Sequence, residues 1–405
     1  MRFDQDRIQN SDRIPYAEAC RRKYGDEEAW RTATAVRLAG WGFNTLGSWS
    51  DDRVAAQATR PLAVTPNLHL AMSFAWRKNE AARDGRKHEF PDVFDPALER
   101  HVVRVASELC AGRSGDPRII GWFADNELRW DPDWRGPEEL LTLFLNMAPG
   151  SPGREGAIEF LRTRYGEFAA CSAVWRLPAR SWDELAAIDQ VVQPYFRPPP
   201  YDRAAAGEEV ANRAQPGRMA VMDDCDRFLG QVATRYFELT SAAIRKVDQN
   251  HLLLGCRFAY PPARAVIAAA GRYVDVISFN CYDRDPAAAL DAYAATGKPC
   301  LIGEFSFRGD DSGLPNTRGA GPRVATQAER AAGFRSYVAT ALRYPSCVGY
   351  HWFEYADQPA EGRFDGENSN FGMVTIDDRV YGTLVDAMAA INGEAELLHA
   401  AAAQA

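Results

Sequence analysis

Two glutamates in this 405-residue chain stand where chemistry is most easily built. The apolar run Arg118-Ile119-Ile120-Gly121-Trp122-Phe123-Ala124-Asp125 ends in Asn126-Glu127, and the run Lys298-Pro299-Cys300-Leu301-Ile302-Gly303 ends in Glu304. A short apolar run bounded by polar residues reads as a buried strand of a parallel sheet, with its carboxyl end open to a ligand. Paired carboxylates at such ends suit cleavage of a glycosidic bond. At about 5–5.5 Å apart, one attacks the anomeric carbon while the other protonates the leaving oxygen, giving retention; a wider gap admits a water and gives inversion. The acid must keep its proton near neutral pH, which a neighbouring carboxylate helps it do. One charged strand end is more often a solvated terminus; two on matching runs favour the catalytic reading.

The elements that must position them alternate. Helical patterns cover Glu27 to Gly40, 95–110 (opened by Asp95-Pro96 in the cap and first-turn positions), 224–247, 263–270 and 326–344. Strand-like runs lie at 42–47, 61–66, 118–123, 252–256, 274–279, 300–303 and 347–352. Alternation on this scale means α/β with a parallel sheet, and no glycine-rich phosphate loop follows any strand, so the expected fold is a (β/α)8 TIM barrel. Seven strands are counted, and the eighth is expected before the first helix, within the weak stretch Met1 to Ile14. From about 130 to 222, helical segments alternate with proline-rich turns, which predicts a helical insertion after the fourth strand. The whole is expected to be a single catalytic domain over residues 1–395 with an alanine-rich tail at 396–405, frayed after Leu398.

In a barrel of this kind the strand ends line the active site. Here they supply Asn44, Trp49, His69, Asn126, Glu127, Arg257, Asn280, Tyr282, Glu304, His351 and Trp352. Hydrogen-bonding side chains interleaved with tryptophans suit a sugar, whose hydroxyls need donors and acceptors and whose ring faces stack on aromatics. These residues hold no metal set and call for no cofactor. The eight cysteines are scattered singly, as small buried hydrophobes. Trp41 and Trp122 are expected in the core; Trp130 and Trp134 fit a cleft wall or helix packing equally. Asp223, Asp224 and Asp226 are expected at a helix start, favouring its dipole. Glu354 and Asp357, before a polar loop, are further sugar-ligand candidates.

The net charge of −8 argues against a nucleic-acid or anionic-membrane partner and for a neutral carbohydrate. No apolar segment opens or spans the chain, so the expectation is a cytoplasmic protein as the sequence stands, secreted or periplasmic if the amino end is truncated. The oligomeric state leaves no mark in the sequence.

Asn126-Glu127 and Glu304 resemble the signature of glycoside hydrolase clan A. More specifically, KYGDEEAWRTATAVRLAGWGFNTLGSWSD, FPDVFDP, IIGWFADNEL, HLLLGCRF, VDVISFNCY, HWFEYADQP and ENSNFG are similar to the catalytic domain of family 50 β-agarases. The segment FLRTRYGEFAACSAVWRLPARSWDEL resembles part of family 42 β-galactosidases. The resemblance implies Glu127 as acid/base, Glu304 as nucleophile, Asn126 on the sugar 2-hydroxyl, Tyr282 orienting the nucleophile, and Trp352 as a platform under the reacting sugar. It places His69, Arg257 and His351 among the sugar contacts, to which the strand-end reading adds Asn280 and Trp49. The expected activity is retaining hydrolysis of galactose-containing oligo- or polysaccharides. The alternatives are a β-galactosidase or other clan A glycosidase, an inverting enzyme, and a non-catalytic carbohydrate-binding barrel.

Overall fold

A computed structural model of the chain describes residues 13–58, 60–81, 90–199 and 216–403. The protein is α/β, and its residues fall into two compact units. One gathers the amino-terminal part through Asn67, Asp116–Phe123 and Val276 to the carboxyl end; the other gathers Leu68–Gly115 and Ala124–Asp275.

In the first unit every strand pairing is parallel. Thr45–Leu46 pairs with Ala63–Val64, and Ile120 and Phe123 donate to Val64 O and Pro66 O to add the Gly121–Trp122 run. Ile277–Asn280 pairs with Cys300–Phe305, which pairs with Cys347–Trp352. Each of the seven predicted runs contains a strand. The pairings form short parallel pieces, and no closed sheet appears among the described residues. The eighth strand was expected within residues 1–14, of which 1–12 lie outside the described residues; Pro15–Tyr24 is a helix.

Sequence-encoded caps fix the helices of this unit. Asp26 accepts from Ala29 N to start Glu27–Gly40, and Thr326 accepts from Glu329 N to start Gln327–Leu342, while Glu329 reaches back to Ala325 N. The Gln327–Leu342 helix covers one face of the sheet: Phe305 stacks on Tyr337 at 4.1 Å and on Phe334 at 5.7 Å. Against the expected fraying after Leu398, helix Gly382–Ala403 runs through the described part of the alanine-rich end; alanine is the strongest helix former.

The second unit is mostly helical. Asp95 caps Pro96–Cys110 through Ala97 N at 2.8 Å, as its Asp-Pro start predicts. Leu140–Leu145, Pro152–Tyr165, Phe168–Trp175 and Trp182–Ala187 follow, held by the buried Arg154 guanidinium, which donates to Met147 O, Leu185 O and Ile188 O. The long helix starts at Pro216, eight residues before the expected Asp224, and runs to Val247. This corrects the dipole role of the aspartate run: Asp224 is interior and buried, and accepts from Arg164 Nε, Trp175 Nε1 and the Tyr165 hydroxyl. A tethered carboxylate of this kind is packing, not a helix start.

Candidate active site

In the first unit the strand Cys300–Phe305 delivers Glu304 with both carboxylate oxygens engaged. Trp49 Nε1 donates to Oε1 at 2.6 Å, and the Tyr282 hydroxyl donates to Oε2 at 2.8 Å. Glu304 is only 6% exposed, so these two donors take the place of much of its hydration. Trp49 comes from the turn after Thr45–Leu46, and Tyr282 lies two residues beyond Asn280, whose strand is in register with Glu304. Cys281 N–H donates to Glu304 O at 2.9 Å, which locks the two strand ends together. Asn280 is buried in that strand. His351 packs edge-on against Phe123 and beside Gly47, where a side chain would press on its Nδ1 at 3.2 Å. Trp49, Asn280, Tyr282, Glu304 and His351 therefore share one unit; Trp49 and Tyr282 bond Glu304 directly, and Asn280 is its register partner on the neighbouring strand.

Trp352 does not fit the platform role expected of it. Successive strand residues face opposite ways, and Trp352 shares the face of Phe305: its ring meets Phe305 at 5.4 Å and Phe334 at 5.5 Å, under the Arg330 guanidinium at 5.3 Å. Its Nε1 donates to Phe371 O at 3.0 Å. The ring is committed to the layer between sheet and helix. The next residue, Phe353, was missed: its ring stands edge-on to Tyr282 at 6.2 Å and to Phe371 at 5.3 Å. The alternation along HWFEY carried that signal.

Asp357 is not placed as a sugar ligand either. It is buried and accepts from Asn370 Nδ2 at 2.8 Å, Gly372 N at 2.9 Å and the Tyr381 hydroxyl at 2.6 Å, which shapes the loop from within. Glu354 is likewise buried, accepting from Gln358 Nε2 at 3.1 Å with Arg363 at 3.6 Å. Glu367, unremarked in the sequence, has its carboxyl pushed up chiefly by burial; Arg363 and Gln358 oppose this and the charge of Glu304 adds to it.

The second unit holds Glu127, Asn126, His69 and Arg257. Glu127 N–H donates to Cys256 O at 3.2 Å and Arg257 O at 3.1 Å, and its carbonyl accepts from Arg135 Nη1 at 2.7 Å. Arg135 is gripped by Asp133 and lies 4.7 Å from the ring centre of Trp134, which is 61% exposed. Trp130, in contrast, is core: 1% exposed, stacked on Phe237 at 5.7 Å. Arg257 is fully buried and spends its Nε on Asn126 Oδ1 at 2.7 Å, so it orients that amide rather than standing open at a strand end. His69 packs against Trp76 at 5.4 Å. His69, Glu127 and Arg257 have φ of 49°, 51° and 52°. Left-handed backbone costs a non-glycine residue about 1–2 kcal/mol, and such residues gather at functional sites.

Among the described residues no helix is long and apolar enough to cross a membrane. No protein-family model matches the chain. It is 29% identical over 401 residues, 95% of its length, to β-agarase B of Vibrio sp. (strain JT0107), and 30% identical over 402 residues, 93% of its length, to β-agarase A of the same strain. It spans 38% and 37% of those two relatives, well under half of each. A solved exo-β-agarase structure superposes with a TM-score of 0.74 at 27% identity, over 95% of this chain and 50% of that one. The relatives named are β-agarases, a class of glycoside hydrolase, to which the chain is similar along nearly all of its length.

Proposed function

We propose that the chain is a retaining β-glycosidase of clan A that cleaves agarose-type, galactose-containing chains. In this reading residues 1–395 form one (β/α)8 catalytic domain in which about 130–222 are a helical insertion. The observation that carries it is the Glu304 carboxylate, which takes one hydrogen bond on each oxygen, from Trp49 and Tyr282. Two neutral donors hold a carboxylate as an acceptor in a fixed orientation, which is what a nucleophile needs.

In the first step a Glu304 oxygen bonds to the anomeric carbon as the glycosidic C–O bond breaks, and the Glu127 carboxyl gives its proton to the leaving oxygen. In the second, water attacks the same carbon, its proton passes to the Glu127 carboxylate, and the bond to Glu304 breaks, with net retention. The roles of Glu127 and Glu304 come from the family resemblance. Asn126, oriented by Arg257, is the candidate contact for the sugar 2-hydroxyl; His69, Asn280 and His351 are candidates for other hydroxyls, and Phe353 replaces Trp352 as the candidate ring surface beside the nucleophile.

The test is Glu304→Ala on agaro-oligosaccharides beside aryl β-galactosides. Turnover should vanish with the melting temperature kept, and azide or formate should restore part of it with inverted product on an activated aryl substrate. A variant close to wild type would remove Glu304 from the chemistry, and release of the opposite anomer by the wild type would make the enzyme inverting. The ratio of activity on the two substrate classes separates an agarase from a β-galactosidase.

A further inference from the structure

The buried carboxylate of Asp125 belongs to neither catalytic role, yet three strained loops meet around it. It is fully buried in the second unit. Its Oδ1 accepts from Met72 N at 2.9 Å, and its Oδ2 accepts from Ala71 N at 3.1 Å and from the Tyr236 hydroxyl at 2.8 Å. Around it the backbone is stitched across the same loops: Leu70 N–H donates to Ala124 O and Ala124 N–H to Gly255 O, both at 2.8 Å, while Glu127 N–H reaches Cys256 O and Arg257 O. Each of the three loops carries one non-glycine residue in the left-handed region, His69, Glu127 and Arg257. Backbone of that kind persists only where its surroundings over-determine it. Asp125 ties the 69–72 loop to the 125–127 loop through a side chain, and Tyr236 anchors both to the long helix Pro216–Val247.

We propose that Asp125 is a positioning residue that holds Glu127 in its left-handed geometry and His69 beside it, so that the acid/base meets the glycosidic oxygen in register. This rests on the catalytic reading of Glu127 given above. Burial pushes the Asp125 carboxyl up to about 7, opposed by its three donors and by no charged partner. An expensive buried carboxylate whose acceptors all serve loop geometry is consistent with a device that sets shape. A carboxylate that merely starts the helix Met72–Ala81 would leave the catalytic acid indifferent to its loss, and this difference can be measured.

The full chain is compared with Asp125→Asn and with Tyr236→Phe, which removes one hydrogen bond and leaves the ring. Because Asp125 acts through the acid, kcat/KM on unactivated agaro-oligosaccharides should fall by about 10²-fold in Asp125→Asn, the scale of a 1 Å misplacement. On an aryl β-glycoside whose leaving group needs no proton, the loss in kcat/KM should be at least about tenfold smaller, because the sugar contacts of Asn126 and His69 are disturbed there but no proton transfer is. Tyr236→Phe should show the same leaving-group pattern with a smaller drop. Amide hydrogen exchange should quicken at 69–72 and 124–128 and stay unchanged in helix Gln327–Leu342. Equal losses on both substrates in step with melting temperature would make Asp125 a structural residue and overturn the proposal, as would unchanged exchange in both loops. If Asp125→Asn fails to fold, Tyr236→Phe decides by the same two criteria. A wild-type chain that turns over neither substrate defeats the catalytic reading; the exchange measurement then still decides whether Asp125 holds the two loops, and slow exchange retained there in both variants would overturn it.

Discussion

Tyr282→Phe removes one atom from the environment of Glu304 and leaves the rest. The ring keeps its contacts with Phe353 at 6.2 Å and Phe371 at 6.5 Å, so the sheet end should hold its shape. What is lost is the hydroxyl donating to Glu304 Oε2 at 2.8 Å. A hydrogen bond to a charged group contributes about 1.5–3 kcal/mol, and since about 1.4 kcal/mol is tenfold in rate, kcat/KM should drop roughly 10- to 150-fold. The upper part of that range is expected, because Glu304 is 6% exposed and little water can replace the donor. Trp49→Phe removes the 2.6 Å donor on Oε1 and should cost a comparable factor. The assay is initial-rate release of reducing ends from agaro-oligosaccharides, with melting temperature measured on the same preparations. Wild-type kcat/KM in Tyr282→Phe would refute the argument. A collapse of melting temperature matching the loss of rate would show the hydroxyl to be structural.

Three further outcomes follow from the same geometry. Trp352→Ala should lower the melting temperature, since the ring is packed among Phe305, Phe334 and Arg330; the expected loss is about 3 kcal/mol, the low end for a large aromatic, and thermal melting with little change in KM would confirm packing. Glu127→Gln should slow breakdown of the glycosyl-enzyme on activated aryl glycosides, so that an adduct on Glu304 appears as a mass increase on the intact protein; its absence with full activity would move the acid/base role elsewhere. The third concerns pH. Asp125 sits near 7 when folded against about 3.9 for an ordinary aspartate, so the folded chain holds a proton that the unfolded chain releases, and this group's contribution to stability falls as pH rises from about 4 to about 7. Asp125→Asn cannot ionise, so its melting temperature should gain on wild type across that window, and a constant difference between the two would refute the shift.

Much of the architecture was legible because it rests on short-range rules. Asp95-Pro96 starts a helix since aspartate accepts from the exposed amides of the first turn and proline lacks the amide that would go unused. Glu27–Gly40 begins after Asp26 for the same reason. The apolar runs became strands because each is too short for a helix and too apolar for a loop. The long helix starts eight residues before the aspartate read as favouring its dipole: from sequence alone, an acidic residue at a first turn and one buried under Arg164, Tyr165 and Trp175 look alike, and the difference lies in partners that arrive from some fifty to sixty residues away.

The candidate site shows the same boundary between local and distant information. That Glu304 ends a strand is local; that Trp49 and Tyr282 take one oxygen each requires residues 255 and 22 positions away to converge. Trp352 was misplaced although the needed rule was local. The family resemblance favoured the tryptophan, whereas the period of two along His351-Trp352-Phe353 places Trp352 on the face opposite its neighbours, and with Phe305 already stacked on Tyr337 that face belongs to the helix layer. Arg257 was obscured by a different physics. A charged side chain near a strand end reads as a ligand contact, but Arg257 is fully buried, as is Asp125, which carries no role in the sequence reading, and burial commits a polar group to partners inside the protein. Arg257 serves Asn126, and Asp125 serves the loops of His69 and Glu127. Candidate sugar contacts and the residues that aim them are thus drawn from the same short motifs, and burial together with backbone angle, neither of which a residue type reveals, separates one from the other.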